Sequence, residues 1–345
     1  MRVPRLHRPR LTRARTAWVV FLVAGTLAVA GTLRLVGGPG DEASLSGEQT
    51  PSGNATGVPT PAPTGEPTDG PTDGPFPSDP TVPTFFTMSS FNVLGAGHTS
   101  PQGNKKGWAP GEKRMKWAIQ LLQSHDVDVA GLQEFEMPQY RVFKSELGST
   151  WGAYPGASLG KVAVRNSIIW RLADWELVTP GWMKIPYFHG NEIRIPVVLL
   201  RNLHNGSQAW FLNSHNPANA RGPAQKWRNI AAARQIAKVN SLRASTGLPV
   251  FLTGDMNERD TYFCKVTAAT DLRAANGGAN DGSGCRVPRP TIIDWIFGSA
   301  DTWFTSYLTD RSKLVRKTTD HRMVVAKAIM PPALEVNACG KLTLC

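Results

Sequence analysis

Cysteine is scarce in this chain of 345 residues: there are four, none in a Cys-x-x-Cys pair or beside a histidine at zinc-finger spacing. That excludes the usual structural zinc sites. Acidic residues are also in the minority, 26 Asp and Glu against 38 Lys and Arg, which leaves a formal net charge of +12. The seven arginines before residue 37 are matched by seven acidic residues between residues 37 and 84, so the excess positive charge belongs to the remainder. A basic surface concentrates polyanions such as nucleic acid or anionic lipid and says nothing about fold. The chain has one long apolar run, and its first quarter lacks the composition of a packed domain. One domain is therefore expected, from residue 85 to residue 345, long enough to bury a large core.

The apolar run extends from Ala17 to Val36 and follows Arg2, Arg5, Arg8, Arg10, Arg13 and Arg15. Basic residues before an apolar segment stay on the cytoplasmic side, so residues 1–36 read as an export signal with the rest of the chain outside the cell. An uncleaved single-pass anchor through this N-terminal helix is favoured, giving a cell-membrane protein with an extracellular domain. Ala28-Val29-Ala30 offers the alternative of cleavage after about Ala30 and secretion. Residues 37–84 are dense in Pro, Thr, Gly and Ser, with Pro-Thr-Asp-Gly at Pro67–Gly70 and again at Pro71–Gly74. Such a tract buries too little apolar surface to offset its chain entropy, and proline keeps it extended as a spacer.

Export makes disulfides attractive. The cysteines fall into two close pairs, Cys264 with Cys285 and Cys339 with Cys345, the alternative being four free thiols. Bridging the first pair would close a Gly- and Asn-rich loop and remove unfolded-state entropy worth about 3 kcal/mol.

Within the domain, Thr84–Val93 is β-rich and leads into Gly95-Ala96-Gly97-His98. Glu112–Ser124 has helical apolar spacing and Val127–Leu132 reads as a buried strand. Further strands are expected at Lys161–Trp170, Ile195–Leu203, Ala209–Asn213, Pro249–Thr253, Thr291–Phe297 and Met323–Ile329, with a helix from Pro223 to about Arg243. Strands outnumber helices, and helices come singly between groups of strands, which suggests a two-sheet sandwich with helices outside.

Five of these apolar runs end in polar groups suited to a metal and a phosphate: Ser90-Phe91-Asn92-Val93, Gly131-Leu132-Gln133-Glu134, Asn213-Ser214-His215, Gly254-Asp255-Met256-Asn257 and Thr319-Asp320-His321. A strand end is a rigid place from which to present such a group. Glu134 is a hard oxygen ligand suited to Mg2+. Asp255 and Asn257, two residues apart, are expected on one side of an extended segment, with Gly254 permitting close backbone approach; an Asx turn is the alternative. Asp294 lies among Ile292, Ile293, Trp295 and Ile296 and needs a partner, because an unpaired buried carboxylate is costly. His321 is the natural one, and the pairing would set its tautomer and favour imidazolium.

The order and wording of these motifs (SFNV, GLQE, NSH, GDMN, IDWIF, TDH) resemble the endonuclease/exonuclease/phosphatase superfamily, whose members include deoxyribonuclease I, exonuclease III, inositol polyphosphate 5-phosphatases and bacterial sphingomyelinases. The chain looks like an exported, actinobacterial-type member, with the resemblance running from about Phe85 to Ile329. It implies an α/β fold, a four-layered sandwich of two packed, mostly antiparallel sheets flanked by helices. A divalent-metal phosphoesterase site is implied at one end of the sheets. On that resemblance Asn92, Glu134 and Asp320 would hold Mg2+, with Mn2+ or Ca2+ as alternatives. His215, Asp255, Asn257, Asp294 and His321 would be catalytic. His215 would contact a phosphate oxygen, Asp255 would align or deprotonate water, Asn257 would hold that geometry, and His321, supported by Asp294, would meet developing charge. Two departures are visible: Thr319-Asp320-His321-Arg322-Met323 replaces the common Ser-Asp-His-x-Pro ending, and Asn216-Pro217 follows His215 in place of an apolar residue.

Fold analogy does not choose the substrate. Lys105, Lys106, Arg221, Lys226, Arg228, Arg286 and Arg289 are candidate phosphate contacts. Trp182 heads a segment, Gly181–Gly190, mixing aromatic and basic residues able to stack on bases or enter a lipid interface. The leading expectation is a metal-dependent nuclease with DNA as substrate, monomeric and without a protein partner. The alternatives are hydrolysis of lipid headgroups or small phosphate esters, and a binding module without turnover.

Overall fold

The computed structural model describes residues 79–333. The expected leader, most of the linker, Cys339 and Cys345 lie outside the described residues. Among the described residues no helix is long and apolar enough to cross a membrane.

The first part of the chain forms β1 (Thr84–Asn92), α1 (Gly111–Ser124), β2 (Val129–Gln133), α2 (Met137–Leu147), β3 (Trp151–Tyr154), β4 (Asn166–Arg171) and β5 (Trp175–Thr179). Next come β6 (Trp182–Pro186), β7 (Glu192–Asn202), β8 (Gln208–His215), α3 (Gln225–Thr246), β9 (Val250–Asp255) and α4 (Asp260–Ala269). The chain continues through β10 (Arg273–Ala274), β11 (Ala279–Asn280), β12 (Cys285–Arg286), β13 (Asp294–Gly298), β14 (Trp303–Asp310), α5 (Lys313–Thr318) and β15 (Met323–Met330).

One sheet has six strands in the order β14-β15-β1-β2-β4-β3, and the other has seven, β10-β13-β9-β8-β7-β5, with β6 also paired to β7. Three apolar layers hold the sandwich together. Phe91, Leu132, Ile169 and Val325 pack the outer face of the first sheet with α1, α2 and α5 residues such as Met115, Leu122, Phe143 and Val315. Phe86, Met88, Val129, Ile168 and Ala326 meet Val198, Phe211, Phe251 and Ile296 between the sheets. Leu212, Leu252, Trp295 and Phe297 face Ala232, Val239, Tyr262 and Phe263 of α3 and α4. This is the four-layered sandwich expected from the motifs.

Each sheet contains one parallel pair, β1 with β2 and β8 with β9; every other pairing is antiparallel. Parallel neighbours finish at the same edge of a sheet. Asn92 stands opposite Gln133 and His215 opposite Asp255, so four chemically important strand ends share one rim. The antiparallel β13 contributes its first residue there, Asp294 opposite Asp255.

The expected strand at Lys161–Trp170 begins only at Asn166, after a short 3-10 turn at Ala163–Arg165. The expected strand at Thr291–Phe297 begins at Asp294. Asp294 therefore sits on the rim and not within the apolar run. Cys264 at the middle of α4 is disulfide-bonded to Cys285, with Cα atoms 5.7 Å apart.

Candidate active site

Asn92, Glu134, His215, Asp255, Asp294 and His321 converge at this rim. Asp255 is at the centre and almost fully buried. Its Oδ2 accepts a 3.1 Å hydrogen bond from Asn92 Nδ2 and faces His215 Nε2 at 3.4 Å and His321 Nε2 at 3.6 Å. Asp294 holds the other side of the His321 ring, with Oδ1 and Oδ2 at 2.9 and 3.1 Å from Nδ1. Burial works against charge on His321, but Asp294 and then Asp255 outweigh it and raise the imidazole to about 10. The ring is thus held as an imidazolium whose Nδ1–H donates to Asp294, with Nε2–H directed toward Asp255.

Glu134 follows β2 in the left-handed conformation, φ 56°. Its Oε1 accepts from Asn92 Nδ2 at 3.2 Å and its Oε2 from the Gly95 N–H at 2.9 Å. Burial opposes its ionisation, yet hydrogen bonding to His98 and the field of His215 hold the carboxyl well below the usual range. A half-buried, ionised carboxylate beside an amide, with Asp320 next to His321, is a hard-oxygen donor set that fits a divalent cation such as Mg2+. The donor atoms of Asp255, Asp294 and His321 also lie within 4.8 Å of one another. His321 Nδ1 is engaged by Asp294, so that cluster is a hydrogen-bonded relay in preference to an ion cage.

Four of the five left-handed non-glycine residues, Leu94, Glu134, His189 and Asn257, lie in segments that flank the site. Such conformations persist where surrounding contacts over-determine them, and those contacts are visible. Arg114, fully buried on α1, donates to the carbonyls of Val93, Leu94, Gly95 and Thr318. Gln139 of α2 donates to Val93 and Leu94 and accepts from Ala96 N–H. These two side chains pin the loop after Asn92, and Arg114 ties it to the loop before His321.

The φ of 50° at Asn257 overturns the expected extended Asp255–Asn257 segment. The chain turns after Asp255, whose Oδ1 accepts the Asn257 N–H at 2.9 Å, and the Asn257 amide donates to the Asn216 carbonyl at 2.8 Å. Asn216, the departure noted after His215, is fully buried, and its side chain is bound by Ser214 and Gln235. Gly254 does permit a close approach, to the neighbouring strand: a Cβ there would lie 2.2 Å from the Ser214 carbonyl.

The expected substrate contacts divide. Arg221 is exposed and stacks over Phe188 at 5.2 Å. Phe188 packs on Tyr187, whose hydroxyl is 3.3 Å from His215 Nδ1. Arg228, by contrast, is buried and donates to Pro217 O, Asn219 Oδ1 and Gln225 Oε1, so it braces the loop after His215 and presents no free cation. Trp182 is at the far end of β6 from Tyr187, about 16 Å away along a strand, and is covered on one side by Arg194. Its position removes it from the site.

Tyr187 and Phe188 belong to the aromatic segment Gly181–Gly190 expected to meet substrate, whereas sequence reasoning missed Arg165, His98, Arg114 and Gln139. Arg165 pairs with Glu136 at 3.0 Å, and its charge, with that of Arg221, reaches the Tyr187 hydroxyl. His98 Nε2 is 3.2 Å from Glu134 Oε2, and that hydrogen bond is the chief reason its imidazole is raised to about 9.

The model of the endonuclease/exonuclease/phosphatase family matches residues 89–321, more than half of the chain. The fold and site define a hydrolase acting on phosphoester bonds, and the chain belongs to the endonuclease/exonuclease/phosphatase family. Enzymes of this family use divalent metals. Among solved structures, the chain is similar to a family protein from Bacteroides thetaiotaomicron at 21% identity and TM-score 0.56, covering 72% of this chain and 99% of that one. It is similar to the mannosyl-6-phosphatase Bt3783 of the same organism at 21% identity and TM-score 0.53, over 70% and 99% of the two chains. It also resembles D. rerio TDP2 complexed with single-strand DNA product, at 13% identity and TM-score 0.51, over 71% and 99%. These identities speak to fold alone. No curated protein matches the chain in sequence.

Proposed function

We propose that this chain is an extracellular, membrane-tethered nuclease that hydrolyses phosphodiesters of DNA with the aid of Mg2+. The observation that carries the substrate is the rim beside His215: Arg221 over Phe188, and Phe188 on Tyr187, whose hydroxyl meets the His215 ring. Arginines bind backbone phosphates without sequence preference, and an aromatic face accepts any base. The basic composition and export-type leader agree with a polyanionic substrate met outside the cell.

Glu134, Asn92 and Asp320 would hold the cation. When bound, it would supply Lewis-acid polarisation of a phosphoryl oxygen and stabilisation of the leaving oxygen. Asp255 would orient an attacking water and accept its proton; its Oδ1 is fixed by the Asn257 N–H, and its Oδ2 accepts from Asn92 and faces His215. His215 Nε2, 3.4 Å from Asp255 Oδ2, would turn to a non-bridging phosphate oxygen, with its ring steadied by Tyr187. His321, anchored by Asp294, carries the proton that meets negative charge on the phosphoryl group.

The test is cleavage of supercoiled plasmid by the full chain across a series of salt concentrations, beside sphingomyelin vesicles and inositol and sugar phosphates. The proposal expects plasmid cleavage that falls steeply as salt rises. Intact plasmid with turnover of a lipid or small ester would overturn the nucleic-acid assignment and leave the phosphoesterase site standing.

A further inference from the structure

The loop between β1 and α1 brings a basic side chain to each of the two carboxylates assigned to the metal. His98 Nε2 lies 3.2 Å from Glu134 Oε2, and Lys105 Nζ lies 2.6 Å from Asp320 Oδ2. The loop is built to keep these side chains together. Lys105 N–H donates to the His98 carbonyl at 2.9 Å, and His98 N–H to the Gly95 carbonyl at 3.1 Å. Asn104 Oδ1 is 2.8 Å from His98 Nδ1, and Lys106 closes onto the Pro101 carbonyl. Gly103 lets the chain fold this tightly, since a Cβ there would lie 2.1 Å from the His98 carbonyl oxygen.

Glu134 has little spare capacity while His98 is in place. One oxygen serves Asn92 and the other serves Gly95 and His98. A divalent cation drawing on Oε2 must displace an imidazole whose N–H points at the same lone pairs, and one drawing on Asp320 Oδ2 must displace the Lys105 ammonium. The backbone bonds within the loop remain, so the displaced side chains stay within reach of the ion. A divalent ion and the Lys105 ammonium in one polar pocket repel each other unless an anion lies between them.

We propose that His98 and Lys105 are exchangeable partners of the two carboxylates: they hold Glu134 and Asp320 until the ion takes their place, and then turn onto the scissile phosphate. Metal and phosphate then bind cooperatively, each improving the affinity for the other by the same factor. This rests on the assignment of Glu134 and Asp320 to the cation and is independent of whether the phosphate belongs to DNA.

The experiment is calorimetric titration of Mg2+ into the full chain, with and without inorganic phosphate. The comparison is with the double variant His98→Gln/Lys105→Gln, with Lys105→Gln alone and with Glu134→Gln. In the wild-type protein phosphate is expected to tighten Mg2+ binding about tenfold, within the usual range of coupling between sites. The double variant should bind Mg2+ alone about tenfold more tightly than wild type, with the phosphate effect falling below about twofold. Lys105→Gln, a change to a partly exposed pair, should shift both quantities in the same directions by about threefold, which keeps the test decisive if the double variant does not fold. Unchanged or weaker Mg2+ binding in these variants, or phosphate coupling that persists in them, overturns the proposal. Loss of binding in Glu134→Gln alongside that result leaves the carboxylate assignment intact, whereas binding that survives Glu134→Gln overturns the assignment and the proposal together.

Discussion

At one end of the space between the sheets, Phe86, Trp175, Phe211 and Phe251 form an aromatic cluster. Phe211 stacks on Phe251 at 5.2 Å, and Phe86 meets Trp175 and Phe251 edge-on at 5.1 and 5.3 Å. At the other end the same strands carry a buried polar layer. Gln133 Nε2 donates to Asn213 Oδ1 at 2.7 Å, Thr253 Oγ1 donates to the same oxygen at 3.2 Å, and Asn213 Nδ2 donates to the carbonyls of Leu132 and Ser167. Read along one face of each strand, the succession repeats: Phe86, Met88, Ser90, Asn92; Phe211, Asn213, His215; Phe251, Thr253, Asp255. The aromatic end supplies burial. The polar layer stands between it and the site, and its hydrogen bonds fix the strands from which the functional side chains project.

If the two ends divide these duties, substitutions should separate stability from turnover. The largest effect belongs to the site itself. His321→Ala should lower turnover by about a thousandfold, in the range for loss of a positioned acid, with a melting temperature close to wild type. Similar turnover in the folded variant would remove His321 from the mechanism. At the opposite end, Phe211→Ala should lower unfolding free energy by about 3–5 kcal/mol, measured in denaturant, while turnover per folded molecule is retained.

Gly131→Ala probes the layer between them. An added Cβ would lie 2.0 Å from Thr253 Oγ1 and 2.5 Å from Asn213 Oδ1. It should destabilise by about 1–3 kcal/mol through overpacking and also reduce turnover, because both displaced residues sit two positions before Asp255 and His215. Unaltered kinetics would mean that the polar layer does not position the site.

The smallest effect is pH-dependent and lies at the aromatic end. Burial raises Asp128, which accepts the Thr87 N–H at 2.7 Å, from 3.8 to about 6. The folded state then binds this proton more tightly than the unfolded chain does. The group's contribution to stability is fullest below pH 3.8 and is lost as pH rises through 6. Asp128→Asn should therefore gain stability relative to wild type between pH 4 and pH 7, and a relative loss over that interval would contradict the assignment.

Much of the site was legible because its groups sit at the ends of apolar runs, where the chemistry of one residue contrasts with its neighbours. Asp294 is the clearest case: a carboxylate among isoleucines and a tryptophan called for a partner, and the structure places His321 against it. Residues whose role depends on distant backbone were not legible. Arg114 occupies an α1 sequence rich in charge, and nothing local distinguishes it from the exposed Lys113 beside it. Helix α2 buries only Phe143 and Leu147 among its apolar residues, too weak a periodicity to stand out, although Glu136 and Gln139 form a capping box at its start. Arg228 misled for the converse reason: a basic residue near His215 suggests a phosphate contact, but the guanidinium is buried and both its terminal nitrogens are bound by Pro217 O and the side-chain amides of Asn219 and Gln225. The turn at Asn257 was the second of two readings, because Asp-x-Asn suits both an extended rim and an Asx turn and nothing local chooses between them.

The measurement that bears most directly on the account is Mg2+-dependent cleavage of plasmid DNA by the full chain, with wild type, Asp255→Asn and EDTA-treated wild type run side by side. The account predicts nicked or degraded plasmid with wild type and intact plasmid in the other two. Cleavage that persists in EDTA or in a folded Asp255→Asn variant would contradict it.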